Sequence, residues 1–232
     1  MGNRESRVGN PESGNGDAAV VLFDLDGTLL DSAPDFVATI AVLRSRHGQP
    51  SMPEAQLRPH VSRGSRAMLK AAFPGLDDAE REALVQPFLD VYRRELAQHG
   101  APFHGVAELL TGIEDAGSRW GIVTNKPEAL ARALMPLLGW ESRCAALVGG
   151  DTLPVHKPDP APLLHAAKQV GVAPGDCVYV GDDERDIIAA RAAGMPAFAA
   201  LWGYRLDEDD PLAWQADAVY GQPLDLLGAW QG

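Results

Sequence analysis

The alternation of apolar and polar stretches divides the chain into two unlike parts. Val20-Val21-Leu22-Phe23 is a short run of large and β-branched residues, which reads as a buried strand. It ends on Asp24-Leu25-Asp26-Gly27-Thr28, and the next helical signal is Ser32 with Asp35, the form of a capping box, with Pro34 suited to a first turn. That helix is expected to run toward His47. From Ser51 to His99 the pattern is helical, with segments Glu54 to His60, Ser65 to Phe73 and Asp78 to Gln98, the last kinked at Pro87. From Gly105 onward helices and short apolar strands alternate. The expected strands are Trp120 to Val123, Ala146 to Val148, Cys177 to Val180, Ala197 to Leu201 and an edge strand at Ala218 to Tyr220. Between them lie helices at Val106 to Ala116, Pro127 to Leu138, Ala161 to Val170 and Glu184 to Ala193, each followed by glycine, and a short helix ends the chain.

Strand and helix in alternation predict an α/β fold, a doubly wound, Rossmann-like parallel sheet with helices on both faces. The helical stretch between its first two strands is a small inserted domain. The expected organisation is a disordered tail over 1–18, a core over 19–33 and 105–232, and a helical insert over 34–104. At 232 residues and 46% hydrophobic content the chain can bury a sizeable core. No apolar run approaches the roughly 18 residues of a membrane span, and the start lacks the apolar centre of a secretion signal, so the cytoplasm is the expected compartment. Cys144 and Cys177 are the two cysteines and form no C-x-x-C pair, which disfavours a disulfide framework or zinc site.

A net charge of −12 argues against nucleic acid or an anionic membrane as partner. Chemistry concentrates at strand ends instead. In an extended chain Asp24 and Asp26 share one side and reach beyond the carboxyl end of the first strand, where open α/β sheets bind ligands. Gly121-Ile122-Val123-Thr124-Asn125-Lys126 brings a hydroxyl and an amide to a helix start, a place suited to an anion, although either side chain could serve as a cap. Lys157 lies in His156-Lys157-Pro158-Asp159-Pro160, where two prolines restrict its direction. Gly181-Asp182-Asp183-Glu184-Arg185-Asp186 again carries acids off a strand, of which Asp183 and Glu184 have a second explanation as partners of the helix dipole.

These four stretches, in this order, resemble the motifs of the haloacid dehalogenase-like hydrolases, most of which are phosphatases. The resemblance spans residues 20 to 186. It implies Asp24 as nucleophile, Asp26 as general acid and base, and Thr124 and Lys157 as catalytic groups on the phosphate, with Asn125 beside them. It implies Mg²⁺ held by Asp24, Asp182 and the Asp26 backbone carbonyl, with Asp186 orienting a metal-bound water or Lys157. Asp183 departs from the serine or threonine common in that motif, which leaves it open between metal and second shell. A cation is required in any case: a carboxylate about 4 Å from a phosphate dianion is repelled by roughly 8 kcal/mol at an effective dielectric near 20.

The resemblance also makes the insert a cap that closes over the site. Its loop Ser62-Arg63-Gly64-Ser65-Arg66 offers Arg63 and Arg66 as substrate contacts, or as surface charges. A small phosphorylated metabolite is the expected substrate and a monomer or weak dimer the expected state. The pattern is similar to the phosphoglycolate phosphatases; the stretch 181–186 with Trp202-Gly203-Tyr204 and later Pro211, Trp214, Ala216 and Asp217 is closer to the N-acetylmuramate 6-phosphate phosphatases. A sugar-phosphate mutase of the β-phosphoglucomutase type would carry the same motifs, and a catalytically silent phosphometabolite-binding protein is the reading from another class. The presence of Asp26 disfavours a dehalogenase.

Overall fold

The computed structural model describes residues 20–231; the tail expected over 1–18 lies outside them. Six strands form a single parallel sheet: β1 (Val20–Phe23), β4 (Arg119–Val123), β5 (Leu147–Val148), β6 (Cys177–Gly181), β7 (Ala197–Ala200) and β8 (Ala218–Tyr220), in spatial order β5-β4-β1-β6-β7-β8. The chain steps outward from β1 to β4 and β5, then crosses to β6 on the other side. The reversal lies beside β1, so its carboxyl end and that of β6 flank the crevice where such sheets take ligands.

Period-two alternation sorts the strand residues onto two faces. Val21, Phe23, Trp120, Ile122, Val178, Val180 and Phe198 join one apolar cluster, together with residues of α6 (Val106–Asp115), α7 (Glu128–Leu137) and α10 (Pro223–Gln231). Val20, Leu22, Tyr179, Ala197 and Ala199 join the other, against α8 (Ala161–Val170) and α9 (Glu184–Ala192). Both faces are covered, which is why these strands read as continuous apolar runs. Trp120, fully buried, donates from Nε1 to Glu114 (2.7 Å) and meets the Trp140 ring edge-on at 5.7 Å. Burial of such a ring stabilises the fold by about 3 kcal/mol.

Helices α1 (Ala33–Arg46), α2 (Glu54–Leu57), α3 (Gly64–Ala72), α4 (Asp78–Ala83) and α5 (Val85–Glu95) form the insert. The α1–α5 seam is aromatic, with Phe36 and Tyr92 stacked at 4.2 Å and Phe88 beside them. Among the described residues no helix is long and apolar enough to cross a membrane.

Three local expectations are corrected. The single helix from Asp78 to Gln98 is two helices that meet at Leu84. Pro87 falls in the first turn of α5, where its missing N–H has no intrahelical acceptor to lose, and the break comes upstream of it because the ring would clash with the carbonyl four residues earlier. Ser32 makes no side-chain cap, and its Oγ is buried without a partner. The start of α1 is instead held by the Tyr204 hydroxyl, which accepts from Ala33 N at 2.9 Å. Asp35 accepts from the backbone N–H groups of Ala97 (3.0 Å), His99 (2.7 Å) and Gly100 (3.0 Å), in the segment that leaves the insert. The third correction is a two-stranded antiparallel ribbon with no counterpart in the sequence reading. β2 (Leu30–Asp31) pairs with β3 (Ala101–Pro102), so the segments entering and leaving the insert lie side by side.

Candidate active site

β1 ends by handing its last ladder bond to Asp24, whose N–H donates to Val180 O at 2.9 Å. The chain then turns on Gly27 at φ +91, and the N–H groups of Thr28, Leu29 and Leu30 all point back to Leu25 O. Only glycine suits this turn, both for its backbone angle and because a Cβ would lie 2.2 Å from Asp182 Oδ2. The turn presents Asp24, 8% exposed, and the half-buried Asp26 toward the crevice.

The other strand ends converge on the same point. Lys157 Nζ donates to Asp186 Oδ1 (2.7 Å) and to the Tyr179 hydroxyl (2.8 Å), and it lies 3.0 Å from Asp24 Oδ1. The last contact is an ion pair without hydrogen-bond directionality, so the buried Asp24 Oδ1 has no directed donor. Burial alone would drive the Lys157 ammonium down, but Asp186 and Asp24 outweigh it and hold the pKa above its ordinary value. Thr124, 4% exposed, follows β4 directly, with its Oγ1 accepting from Lys126 N at 3.2 Å. Thr124 and Asp24 line one cavity.

Asp182 is fully buried. Thr28 Oγ1 (2.9 Å), Ser62 Oγ (2.7 Å) and Tyr204 N (2.9 Å) donate to its carboxylate. Burial, with Asp24 and Asp186 close by, pushes this carboxyl well above the usual range. Burial, only partly offset by Lys157, also pushes Asp186 up to about 6. Carboxylate oxygens of Asp24, Asp182 and Asp186 lie within 4.8 Å of one another. Three dehydrated acids with one lysine among them leave a deficit of positive charge. An all-oxygen donor set of this kind fits a hard divalent cation such as Mg²⁺.

Asn125 and Asp183 are both held by neighbouring loop and helix groups. Asn125 uses both ends of its amide on the backbone of Lys157, donating from Nδ2 to Lys157 O (3.0 Å) and accepting from Lys157 N (3.0 Å), so it positions the lysine loop while lining the cavity. Asp183 is the N-cap of α9, in a capping box with Asp186. Burial would raise its pKa, but the Arg185 fork, at 2.8 and 3.0 Å, draws it below the usual carboxylate range. Arg185 in turn donates to Ser62 O (2.6 Å), tying the core to the insert's loop.

The insert roofs a cavity of about 470 Å³ above the carboxylates. Its polar floor is Asp24, Asp26, Thr124 and Lys126, and its walls include Phe36, Met68, Phe88 and Leu130. Arg63 lines it and pairs with Asp209 of the core at 2.6 Å. Arg66 is at the mouth, highly exposed and held by both oxygens of Glu82 at 2.6 and 2.7 Å. The structure adds Lys126, which the sequence reading passed over. One signal was available: a cation directly before a helix opposes that helix's dipole, which calls for a nearby anion. That anion is Asp26, at 3.0 Å from Lys126 Nζ through each oxygen.

A buried carboxylate, a lysine held against it, a second acid on the cavity floor and a roof over them suit transfer of a phosphoryl group from a small ester. Comparisons with known proteins agree in direction. The family model described as "Haloacid dehalogenase-like hydrolase" matches residues 21–200. A phosphoglycolate phosphatase of Xanthomonas campestris pv. campestris (strain 8004) is 62% identical over 212 residues, covering 90% of this chain and 96% of that protein. An N-acetylmuramic acid 6-phosphate phosphatase of Pseudomonas aeruginosa is 46% identical over 208 residues, covering 89% and 92%. The crystal structure of a predicted phosphoglycolate phosphatase from Haemophilus somnus 129PT superposes with a TM-score of 0.81 at 25% identity, over 91% of this chain and 97% of that one.

Proposed function

From the premise that the chain belongs to the haloacid dehalogenase-like hydrolases, we propose that it is a Mg²⁺-dependent phosphatase of a small phosphorylated metabolite, working through an aspartyl-phosphate on Asp24. The observation that carries this reading is the buried Asp24 Oδ1, free of any directed donor, at the floor of a roofed cavity and 3.0 Å from Lys157. Asp24 attacks phosphorus and the bond to the ester oxygen breaks, with Asp26 delivering a proton to that oxygen. Asp26 then takes a proton from the water that hydrolyses the acyl phosphate. Thr124, Lys157 and backbone N–H groups hold the transferring oxygens, and Asn125 and Asp186 hold Lys157 in place. Asp24, Asp182 and the Asp26 carbonyl would hold Mg²⁺. When bound, the ion supplies the positive charge that lets a carboxylate approach a phosphate dianion.

The insert, taken as a cap over 34–104 on a core of 19–33 and 105–232, excludes water from this step. Its roof also bears on the substrate. A cavity of about 470 Å³ with aromatic and aliphatic walls is of the size that holds a drug-like ligand, well beyond what a two-carbon acid fills. N-acetylmuramate 6-phosphate, which has a sugar ring and apolar substituents, therefore suits it better than 2-phosphoglycolate. Arg63, Arg66 and Asn125 line the cavity and are the groups we assign to its polar end, the two arginines by exchanging their present partners Asp209 and Glu82 for the substrate. The test is a phosphate-release assay with both esters, with Mg²⁺ and with chelator. Wild-type protein should favour the larger ester and need the metal, and Asp24→Asn should abolish turnover with the fold intact. Mg²⁺-dependent release by Asp24→Asn would overturn the covalent route.

A further inference from the structure

The mechanism above gives Lys126 no part. Yet Lys126 is buried, with 3% of its side chain exposed, against the very acid that must move a proton. Its three N–H donors have three acceptors: Asp26 Oδ1 and Oδ2 at 3.0 Å each, and the Tyr92 hydroxyl at 2.6 Å. The rings of Phe36 and Tyr92 flank the ammonium at 4.9 and 4.3 Å, a placement that suits a cation. Asp26 and Lys126 come from the core loops that follow β1 and β4, whereas Phe36 and Tyr92 come from α1 and α5 of the insert. A grip on both oxygens fixes the plane of the Asp26 carboxylate as well as its position, which a single contact would not do.

Resting on the phosphatase reading, in which Asp26 serves the leaving oxygen, we propose that Lys126 is a positioning residue for the leaving-group step, aiming Asp26 while α5 keeps Tyr92 seated against the core. As the P–O bond breaks, its electron pair goes to the ester oxygen and the Asp26 proton follows it. Lys126 keeps its three protons throughout. The proton matters most when the departing group is an alkoxide and least when it is a stable phenolate.

The test therefore compares a sugar 6-phosphate with p-nitrophenyl phosphate. Lys126→Met should lower kcat on the sugar ester roughly tenfold or more beyond its effect on the aryl ester, with KM for the two moving alike. Tyr92→Phe, which preserves the ring packing, should do the same to a smaller degree. Equal losses on the two esters, or none, would overturn the proposal. A crystal structure of Lys126→Met decides the geometry independently of turnover: a displaced Asp26 carboxylate supports the aiming role and an unmoved one overturns it. Should the wild-type protein release phosphate from neither ester, the phosphatase reading is what fails, and the crystal structure still decides whether Lys126 places Asp26.

Discussion

Asp35 offers the sharpest test of how the insert is fastened. It is fully buried, and its two oxygens hold three backbone N–H groups: Oδ1 takes His99 and Gly100, Oδ2 takes Ala97. Ala97 stands at φ +55 without being glycine, a conformation that costs about 1–2 kcal/mol and that the bond to its N–H helps to hold. The space is tight as well, since a Cβ at Gly100 would lie 2.9 Å from Asp35 Oδ2 and 2.7 Å from Asp31 O. A hydrogen bond to a charged group contributes roughly 1.5–3 kcal/mol. These three are only partly buried, so the low end applies, and Asp35→Ala should cost about 4 kcal/mol. Asp35→Asn keeps one acceptor but turns an NH₂ toward the Ala97 N–H, for a loss of about 2 kcal/mol. Urea denaturation measures both. Hydrogen exchange should localise the loss, with the amides of Ala97, His99 and Gly100 losing protection before those of β1. A cost below about 1 kcal/mol for Asp35→Ala would refute the reasoning, because it would mean that water satisfies these amides as well as the carboxylate does.

Two further outcomes follow from the acid cluster. Gly27→Ala places a methyl 2.2 Å from Asp182 Oδ2 at φ +91, so it should displace that carboxylate and weaken Mg²⁺ affinity by at least about tenfold; unchanged affinity by titration calorimetry would count against it. Asp186, raised to about 6 from 3.8, and Asp182, also raised, bind more protons folded than unfolded, so the contribution of these two acids to the stability of metal-free protein should fall as the pH rises from about 4 to about 6. Mg²⁺ needs those groups ionised, and its increment in Tm should grow across the same window. Scanning fluorimetry with Mg²⁺ against chelator, at about pH 5 and about pH 7.5, checks this, and an equal increment at both would contradict it.

The sheet was legible because each of its central strands is buried on both faces and so carries its signal in four or five consecutive apolar residues. Asp24, Thr124 and Asp182 were legible because each follows such a run directly, at the carboxyl end where a parallel sheet binds ligands. What was hidden depends on partners remote in sequence. Leu30–Asp31 and Ala101–Pro102 are too short to show a period, and their pairing joins segments separated by the whole insert. Ser32 and Asp35 have the spacing of a capping box, but three amides of the returning chain compete for the carboxylate and win it. Lys126 and Tyr92 meet only through the packing of α5 beside the core. The turn at Leu84 carries no glycine or proline of its own, and the signal of Pro87 lies three residues downstream of it.

The ribbon of β2 and β3 makes the helical bundle a detachable cassette. Leu30 faces Pro102 and Asp31 faces Ala101, so excising everything between them would leave two chain ends about 5 Å apart, near enough for a hairpin turn to rejoin. The entry and exit of the bundle thus form one joint, and a roof of another shape would have to supply again the two groups this one lends to the floor, the Tyr92 hydroxyl on Lys126 and the Ser62 hydroxyl on Asp182.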